Sequence, residues 1–204
     1  ENVTIGILSA ILKKRDIKSI ALLGWQIPII TDENYQKAKI LKIDKARIDN
    51  FLKTNDVIVL AGFQGINMSG YITSLGRGGS DTTAVAIASA VGAERCDIYT
   101  DVDGVYTTDP SIVPEAKKIP KLAFEEMLEM SSTGAKVLHT RSVELAMKNN
   151  LVLQVLSSLS NKPGTLVVSD EDLIEKEIVS GVSYSNNESK TTAPKAIAIT
   201  KWTT

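Results

Sequence analysis

One cysteine, Cys96, and one histidine, His139, stand in 204 residues. A lone thiol excludes an internal disulfide framework and any cysteine-based metal cluster, so a reducing cytoplasm is the expected compartment and Cys96 is read as buried and inert. A lone histidine is read as packing or capping before catalysis. Charge of one sign is also lacking. The 23 basic residues are balanced by 24 acidic ones, for a formal net charge of -1, which leaves no basic stripe to neutralise a phosphate backbone. Nucleic acid is not an expected partner. Long hydrophobic runs are missing too: the longest apolar stretch, Ile20 to Ile30, is broken by Gln26 and Pro28 and falls short of the roughly 20 residues that a membrane-spanning helix needs. No signal-peptide or lipidation pattern is evident, and no membrane partner is expected.

What is present is the composition of an ordinary globular chain, 43% hydrophobic and 23% charged, able to bury one substantial core or one core plus a small appendage. From Val3 to Lys14 the apolar residues Ile5, Leu8, Ile11 and Leu12 recur at helical spacing. A short strand is predicted over Ser19–Leu23 and a clearer one over Val57–Ala61, whose continuous apolar run fits burial on both faces of a parallel sheet. Residues Met68 to Leu75 read as a polar hairpin around Ser69-Gly70. Beyond the glycine-rich segment that follows, Ala84 to Val91 predicts a helix apolar on nearly every side, which must pack inside the domain. Further strands are predicted over Asp97–Thr100, Leu151–Leu156 and Thr165–Val168, and helices over Ala123–Glu129 and Gly134–Lys148. This alternation argues for α/β with a mainly parallel central sheet. After Asp170 the composition shifts, and a domain boundary or linker is expected near Leu173 to Glu177.

Three segments could carry chemistry. In Gly76-Arg77-Gly78-Gly79-Ser80-Asp81-Thr82-Thr83 the glycines permit positive φ and close approach of a ligand, and the helix that follows points unpaired N–H groups outward. A tight turn capped by Ser80 or Asp81 is the plainer explanation. Arg77 tilts the reading, because a guanidinium can grip a carboxylate with two parallel hydrogen bonds while Asp81 holds an ammonium. Together they resemble a clamp for a zwitterionic amino acid. The second segment, Tyr99 to Pro110, leaves a strand at its carboxyl end, where ligands of open α/β sheets sit. Its acids, threonines and tyrosines could surround a nucleotide and Mg²⁺, or satisfy their own backbone. Calcium is rejected, since Gly104 comes too early for an EF-hand loop and no Glu stands twelfth from Asp101. In the third, Ser131 to His139, Lys136 is placed in the first turn of a predicted helix. A cation gains nothing from the dipole there, so Lys136 is either solvated or set to meet phosphate.

Taken together in this order and spacing, Ala61-Gly62-Phe63-Gln64-Gly65, Thr73 through Thr83, the Asp101 loop, and Glu126-Met127-Leu128-Glu129 through Gly134-Ala135-Lys136-Val137-Leu138-His139 resemble the aspartate kinase branch of the amino acid kinase family. The resemblance runs from Glu1 to about Lys190. It implies a three-layer α-β-α fold of the carbamate kinase-like type. It also implies transfer of the γ-phosphoryl group of ATP, with Mg²⁺, to the side-chain carboxylate of L-aspartate, giving 4-phospho-L-aspartate on the route to lysine, threonine and methionine. By position, Arg77 matches the arginine that holds the substrate α-carboxylate, Asp81 and Glu1 the acids near its amino group, and Ser80 a hydroxyl near the reacting carboxylate. Phe63, Gly78 and Gly79 line that pocket. Thr100, Asp101, Tyr106, Asp109 and Ser111 fall on the nucleotide side, and Lys136, with Asp81 a candidate catalytic group, matches a lysine that reaches the phosphates. No protein metal ligand is implied, and a homodimer or higher homo-oligomer is the family expectation.

Three departures accompany the resemblance. Glu1 leads directly into a helical pattern, whereas the family opens with a strand and a Lys-Phe-Gly-Gly segment that holds the transferring phosphoryl. The chain is therefore read as truncated at its start, and as it stands it is expected not to turn over. Ser111 replaces an arginine after Asp-Pro, and Thr140 replaces a proline after His. On this reading residues 1–172 form the catalytic domain and 173–204 a linker with the start or remnant of an ACT-type regulatory region.

Overall fold

The structure, a computed structural model, describes residues 1–133, 137–172, 181–182, 188–193 and 196–201. In chain order, α1 (Asn2–Lys14) leads to β1 (Ser19–Leu22), β2 (Ile29–Thr31), β3 (Ile40–Ile43), α2 (Lys45–Leu52) and β4 (Val57–Leu60). Then come β5 (Gln64–Asn67), β6 (Ile72–Ser74), α3 (Gly79–Val91) and β7 (Arg95–Thr100). Beyond a long loop lie β8 (Lys121–Ala123), α4 (Phe124–Thr133), α5 (Thr140–Lys148), β9 (Val152–Ser157) and β10 (Thr165–Val168). A hairpin of β11 (Glu188–Ala193) and β12 (Ala196–Lys201) ends the described residues.

Strands β1 and β4 pair in parallel, with Ser19 opposite Val57 and Leu22 opposite Leu60. Successive residues of a strand point to opposite faces, and both faces are covered. Ala21, Val57 and Val59 pack with Ile5 and Leu12 of α1, whereas Ile20, Leu22, Ile58 and Leu60 pack with Ile48 and Phe51 of α2 and with Ile87 and Val91 of α3. Helix, sheet and helix thus form three layers, which is why these strands read as unbroken apolar runs. The larger core lies around the sheet ordered β7-β9-β10-β8, where β7 and β9 are parallel, β10 and β8 parallel, and β9 and β10 antiparallel. Leu153, Val155 and Val167 from this sheet meet Val85 of α3, Met127 of α4 and Val143 and Ala146 of α5. Three of the four pairings in these two sheets are parallel, in keeping with α/β architecture.

Helix α3 serves both cores, one through Ile87 and Val91 and the other through Val85 and Ala88. Its near-continuous apolar composition follows from that double contact. It also begins five residues earlier than its apolar pattern predicts, at Gly79 instead of Ala84. Gly, Ser, Asp and Thr are poor helix formers, but here the hydroxyls of Thr82 and Thr83 donate back to the carbonyls of Gly78 and Gly79 at 2.9 and 2.7 Å. The N-cap is Gly78 in the left-handed region, not Ser80 or Asp81.

A second boundary also differs. Helix α5 starts at Thr140 with His139 as N-cap, so Val137 to His139 are not helical as the predicted Gly134–Lys148 helix required. His139 is extended (φ -78°, ψ 131°), and its carbonyl takes the N–H groups of Ser142 and Val143. The third sheet, β3-β2-β5-β6, includes the expected hairpin as β5 and β6, turned at Gly70. That hairpin is less polar than expected, since Met68, Tyr71 and Ile72 are exposed. No described helix is long and apolar enough to cross a membrane.

Candidate active site

The first half of the site is built where β4 ends. The chain turns through Gly62 and Phe63, and Phe63 takes a positive φ of 69°, which is costly for a bulky residue. Two hydrogen bonds hold it there. Its N–H donates to Thr83 Oγ1 at 3.1 Å, and its carbonyl accepts the N–H of Leu75 at 2.9 Å. The start of α3 fits against this turn because Gly79 has no side chain: a Cβ there would lie 2.8 Å from the Phe63 ring and 3.0 Å from Leu75 Cβ. Gly62 is equally confined, with Glu1 Oε2 3.1 Å and Ser80 Cα 3.3 Å from where its Cβ would sit. Ser80 Oγ donates to Glu1 Oε1 at 2.5 Å across 79 positions of sequence. Glu1, Phe63, Gly79 and Ser80, all expected on the substrate side, are thus brought together. Beside them opens a cleft of about 330 Å³ lined by Glu1, Asn2, Val3, Gly62, Phe63 and Gln64.

Arg77 stands at the apex of the turn into α3, between Gly76 (φ 76°) and Gly78 (φ 70°). It is exposed and has no hydrogen-bond or ion-pair partner among the described residues. Asp81 lies beside His139. Its carboxylate meets the backbone N–H and the ring of His139, and burial, the larger influence, raises its pKa above the ordinary aspartate value while His139 pulls it back down. The His139 ring occupies the space above Gly78 that a Cβ would need.

The second half begins at the carboxyl end of β7. Helix α3 runs away from the Arg77 turn and β7 returns beside it, so the end of β7 lies at the same end of the domain as the start of α3. There Thr100 Oγ1 donates to Asp101 Oδ1 at 3.0 Å, and the Thr100 carbonyl takes both the N–H and the hydroxyl of Ser158 at 2.8 Å. Asp103 accepts the Tyr106 hydroxyl at 2.9 Å and faces Lys118 Nζ at 3.4 Å. The Tyr106 bond and the Lys118 charge hold the Asp103 carboxyl below its usual range, and the same bond raises the Tyr106 hydroxyl. Asp109 is lowered in turn by Ser111, whose N–H and hydroxyl both donate to it, at 2.8 and 2.6 Å. The loop is tied to the core by Thr165, fully buried, whose Oγ1 accepts the Val105 N–H at 2.8 Å and donates to the Ile119 carbonyl at 2.6 Å. Lys136 lies outside the described residues. Among the described residues no three His, Cys, Asp or Glu side chains gather as a metal site.

This arrangement, a guanidinium without a partner among the described residues on a glycine turn and an acid-rich loop at the end of a neighbouring parallel strand, falls within residues 1–157, which match the model of the amino acid kinase family. The chain belongs to that family. Its similarity to aspartate kinases is substantial: it is 51% identical over 193 residues to the aspartate kinase of Pseudomonas putida, covering 94% of this chain and 47% of that protein. The solved aspartate kinase of Synechocystis superposes with a TM-score of 0.73 at 44% identity, over 88% of this chain and 29% of that one. Aspartokinase III of E. coli, in complex with aspartate and ADP, gives a TM-score of 0.71 at 35% identity, over 81% of this chain and 38% of its own. The chain spans about half the length of the curated relatives it matches, 47% for the Pseudomonas enzyme.

Sequence patterning missed several residues of this amino acid kinase site. Thr165 and Lys118 act on the Asp101 loop, and Arg141 of α5 reaches the turn before Arg77. A buried threonine at the first position of an apolar strand was the one visible signal, because a hydroxyl there must find partners. Cys96 matches its reading as an inert core thiol: it is 7% exposed, and burial pushes its pKa up to about 11.

Proposed function

We propose that the protein is an aspartate kinase, transferring the γ-phosphoryl group of ATP to the side-chain carboxylate of L-aspartate. The observation that carries this reading is the Arg77 guanidinium, without a partner among the described residues and held between two left-handed glycines on the same turn as the Glu1–Ser80 pair. A zwitterionic amino acid asks for a cation and an acid set around an opening. Arg77 would take the α-carboxylate in a bidentate grip, and Glu1, fixed by Ser80, would take the ammonium. Half-identity to proteins named aspartate kinase supports the choice of acceptor. Ser80 would release Glu1 or share its hydroxyl with the reacting carboxylate, and Asp81 would hold its place behind them through the His139 N–H.

The acceptor carboxylate, with an ordinary pKa near 3.9, is ionised at neutral pH and already nucleophilic, so no general base is assigned. What remains is alignment and neutralisation of charge on the moving group. Thr100, Asp101 and Tyr106 would border the nucleotide, with Lys136 the proposed phosphate contact. Magnesium, which typically keeps several waters and binds through phosphate oxygens, would arrive with ATP. Residues 1–172 would form the catalytic domain, with 173–204 leading into a regulatory region.

The test is ATP-dependent hydroxamate formation by the intact gene product with aspartate, glutamate and acetylglutamate as acceptors. Aspartate is expected to be used. Arg77→Ala is expected to raise the KM for aspartate roughly ten- to hundredfold, the scale of a lost hydrogen bond to a charged group, with the KM for ATP nearly unchanged. No turnover with aspartate would sink the proposal.

A further inference from the structure

The Arg77 turn is conformationally expensive. Gly76 and Gly78 both sit at positive φ, and glycine loses more backbone freedom on ordering than any other residue. Something outside the turn must hold it. Helix α5 contributes a guanidinium from its first turn: Arg141 Nη1 donates to the Leu75 carbonyl at 2.9 Å and Nη2 to the Ala38 carbonyl at 2.7 Å. Leu75 and Ala38 are both fully buried, so these bonds are made at the base of the turn and not on its surface. Ala38, from the β2–β3 connection, in turn donates its N–H to the Ser74 carbonyl at 2.9 Å. On the far side of Arg77, the His139 ring backs Gly78.

Helix α5 therefore brackets Arg77, through Leu75 before it and Gly78 after it. We infer that Arg141 is a positioning residue for amino-acid binding, one that acts through the backbone of residues 75–78 to aim the Arg77 guanidinium without itself touching substrate. The planar fork suits this task. Its two outer nitrogens reach two separate carbonyls in fixed relation, whereas a lysine ammonium can serve both only by moving between them. The inference rests on Arg77 being the substrate carboxylate contact.

The experiment compares Arg141→Ala and Arg141→Lys with the unaltered intact protein, measuring steady-state kinetics and amide hydrogen exchange. The KM for aspartate is expected to rise about tenfold in the alanine variant and less in the lysine variant, with the KM for ATP within about twofold. Faster exchange is expected in residues 74–80 and 36–39, with the sheet β7-β9-β10-β8 unchanged. A purely structural Arg141 would instead lower the active fraction, or raise both KM values together, and either result overturns the inference. Should the alanine variant fail to fold, the lysine variant alone decides on the same criteria. The exchange measurement is independent of the acceptor: if the protein turns over a different amino acid, the aspartate reading fails while local loosening at 74–80 still upholds the role of Arg141, and protection unchanged there refutes it.

Discussion

Gly78→Ala offers the sharpest physical test of how the two helices meet. Two costs are separable at this position. The first is backbone: an alanine at φ 70° carries the left-handed penalty of about 1–2 kcal/mol. The second is steric, because the new Cβ would run into the His139 ring, and overpacking of this kind adds about 1–3 kcal/mol. A loss of about 2–5 kcal/mol is therefore expected, read from urea midpoints with an unchanged slope. Gly70 supplies the control, since it has φ 83° but nothing within 4 Å of a Cβ, so Gly70→Ala should show the backbone cost alone. Adding His139→Ala to Gly78→Ala removes the ring from the collision and leaves only the His139 Cβ, 2.7 Å from the new one, so part of the steric cost, about 1–2 kcal/mol, should return as coupling in the double-mutant cycle. If Gly78→Ala costs no more than Gly70→Ala, or if the pair shows no coupling, the packing of His139 on the substrate turn is wrong.

Thr165→Val keeps the shape of a fully buried side chain but strips the hydroxyl that serves the Val105 N–H and the Ile119 carbonyl. A destabilisation of about 2–4 kcal/mol is expected from orphaning both groups, with a rise in the KM for ATP larger than that for aspartate and recovery in Thr165→Ser. Equal KM changes would detach Thr165 from the nucleotide loop. For Cys96, a pKa pushed from 9.0 up to about 11 means that the folded protein retains the thiol proton while the unfolded chain gives it up. Stability from this group is thus complete below pH 9 and is lost as pH rises from there through about 11. Thiol-directed alkylation at pH 8 should be slow in the native protein and immediate in denaturant, and Cys96→Ala should flatten the alkaline loss; fast native labelling would show that the thiol is reachable.

The parts of the fold that could be read in the sequence are those where one interaction dominates. The apolar runs of β1 and β4 are covered on both faces, β9 buries alternate residues, and α1 carries its helical spacing openly. Across residues 24–56 no single pattern governs the sequence. Strand β2 is three residues long, β3 is half-exposed with Leu41 pointing outward, and α2 reaches the apolar core only through Ile48 and Phe51. At α3, hydroxyls bonded back to the preceding turn carried the helix across residues that disfavour it, and the apolar pattern was blind to that. At α5 the error ran the other way, since an N-cap without a side-chain hydrogen bond leaves no signature in residue type.

The same division runs through the site. Arg77 and the Asp101 loop could be singled out because a ligand of fixed chemistry would limit which side chains can meet it, and Glu1 through the family resemblance. The groups that hold them work mostly on main chain: Arg141 on the carbonyls of Leu75 and Ala38, Thr165 on Val105 and Ile119, Thr83 on the Phe63 N–H. Every residue has a carbonyl, so nothing in the sequence marks which two a distant arginine will find. The separations, 66 and 103 positions for Arg141 and 60 for Thr165 with Val105, show why local patterning could not supply these pairings. On the proposed reading, substrate specificity would depend on two layers that differ in how they can be altered. A change at Arg77 would then remove the contact and leave the turn intact, whereas a change at Arg141 would leave the contact in place and loosen its aim, so the first should be nearly insensitive to the protection of residues 74–80 and the second should track it.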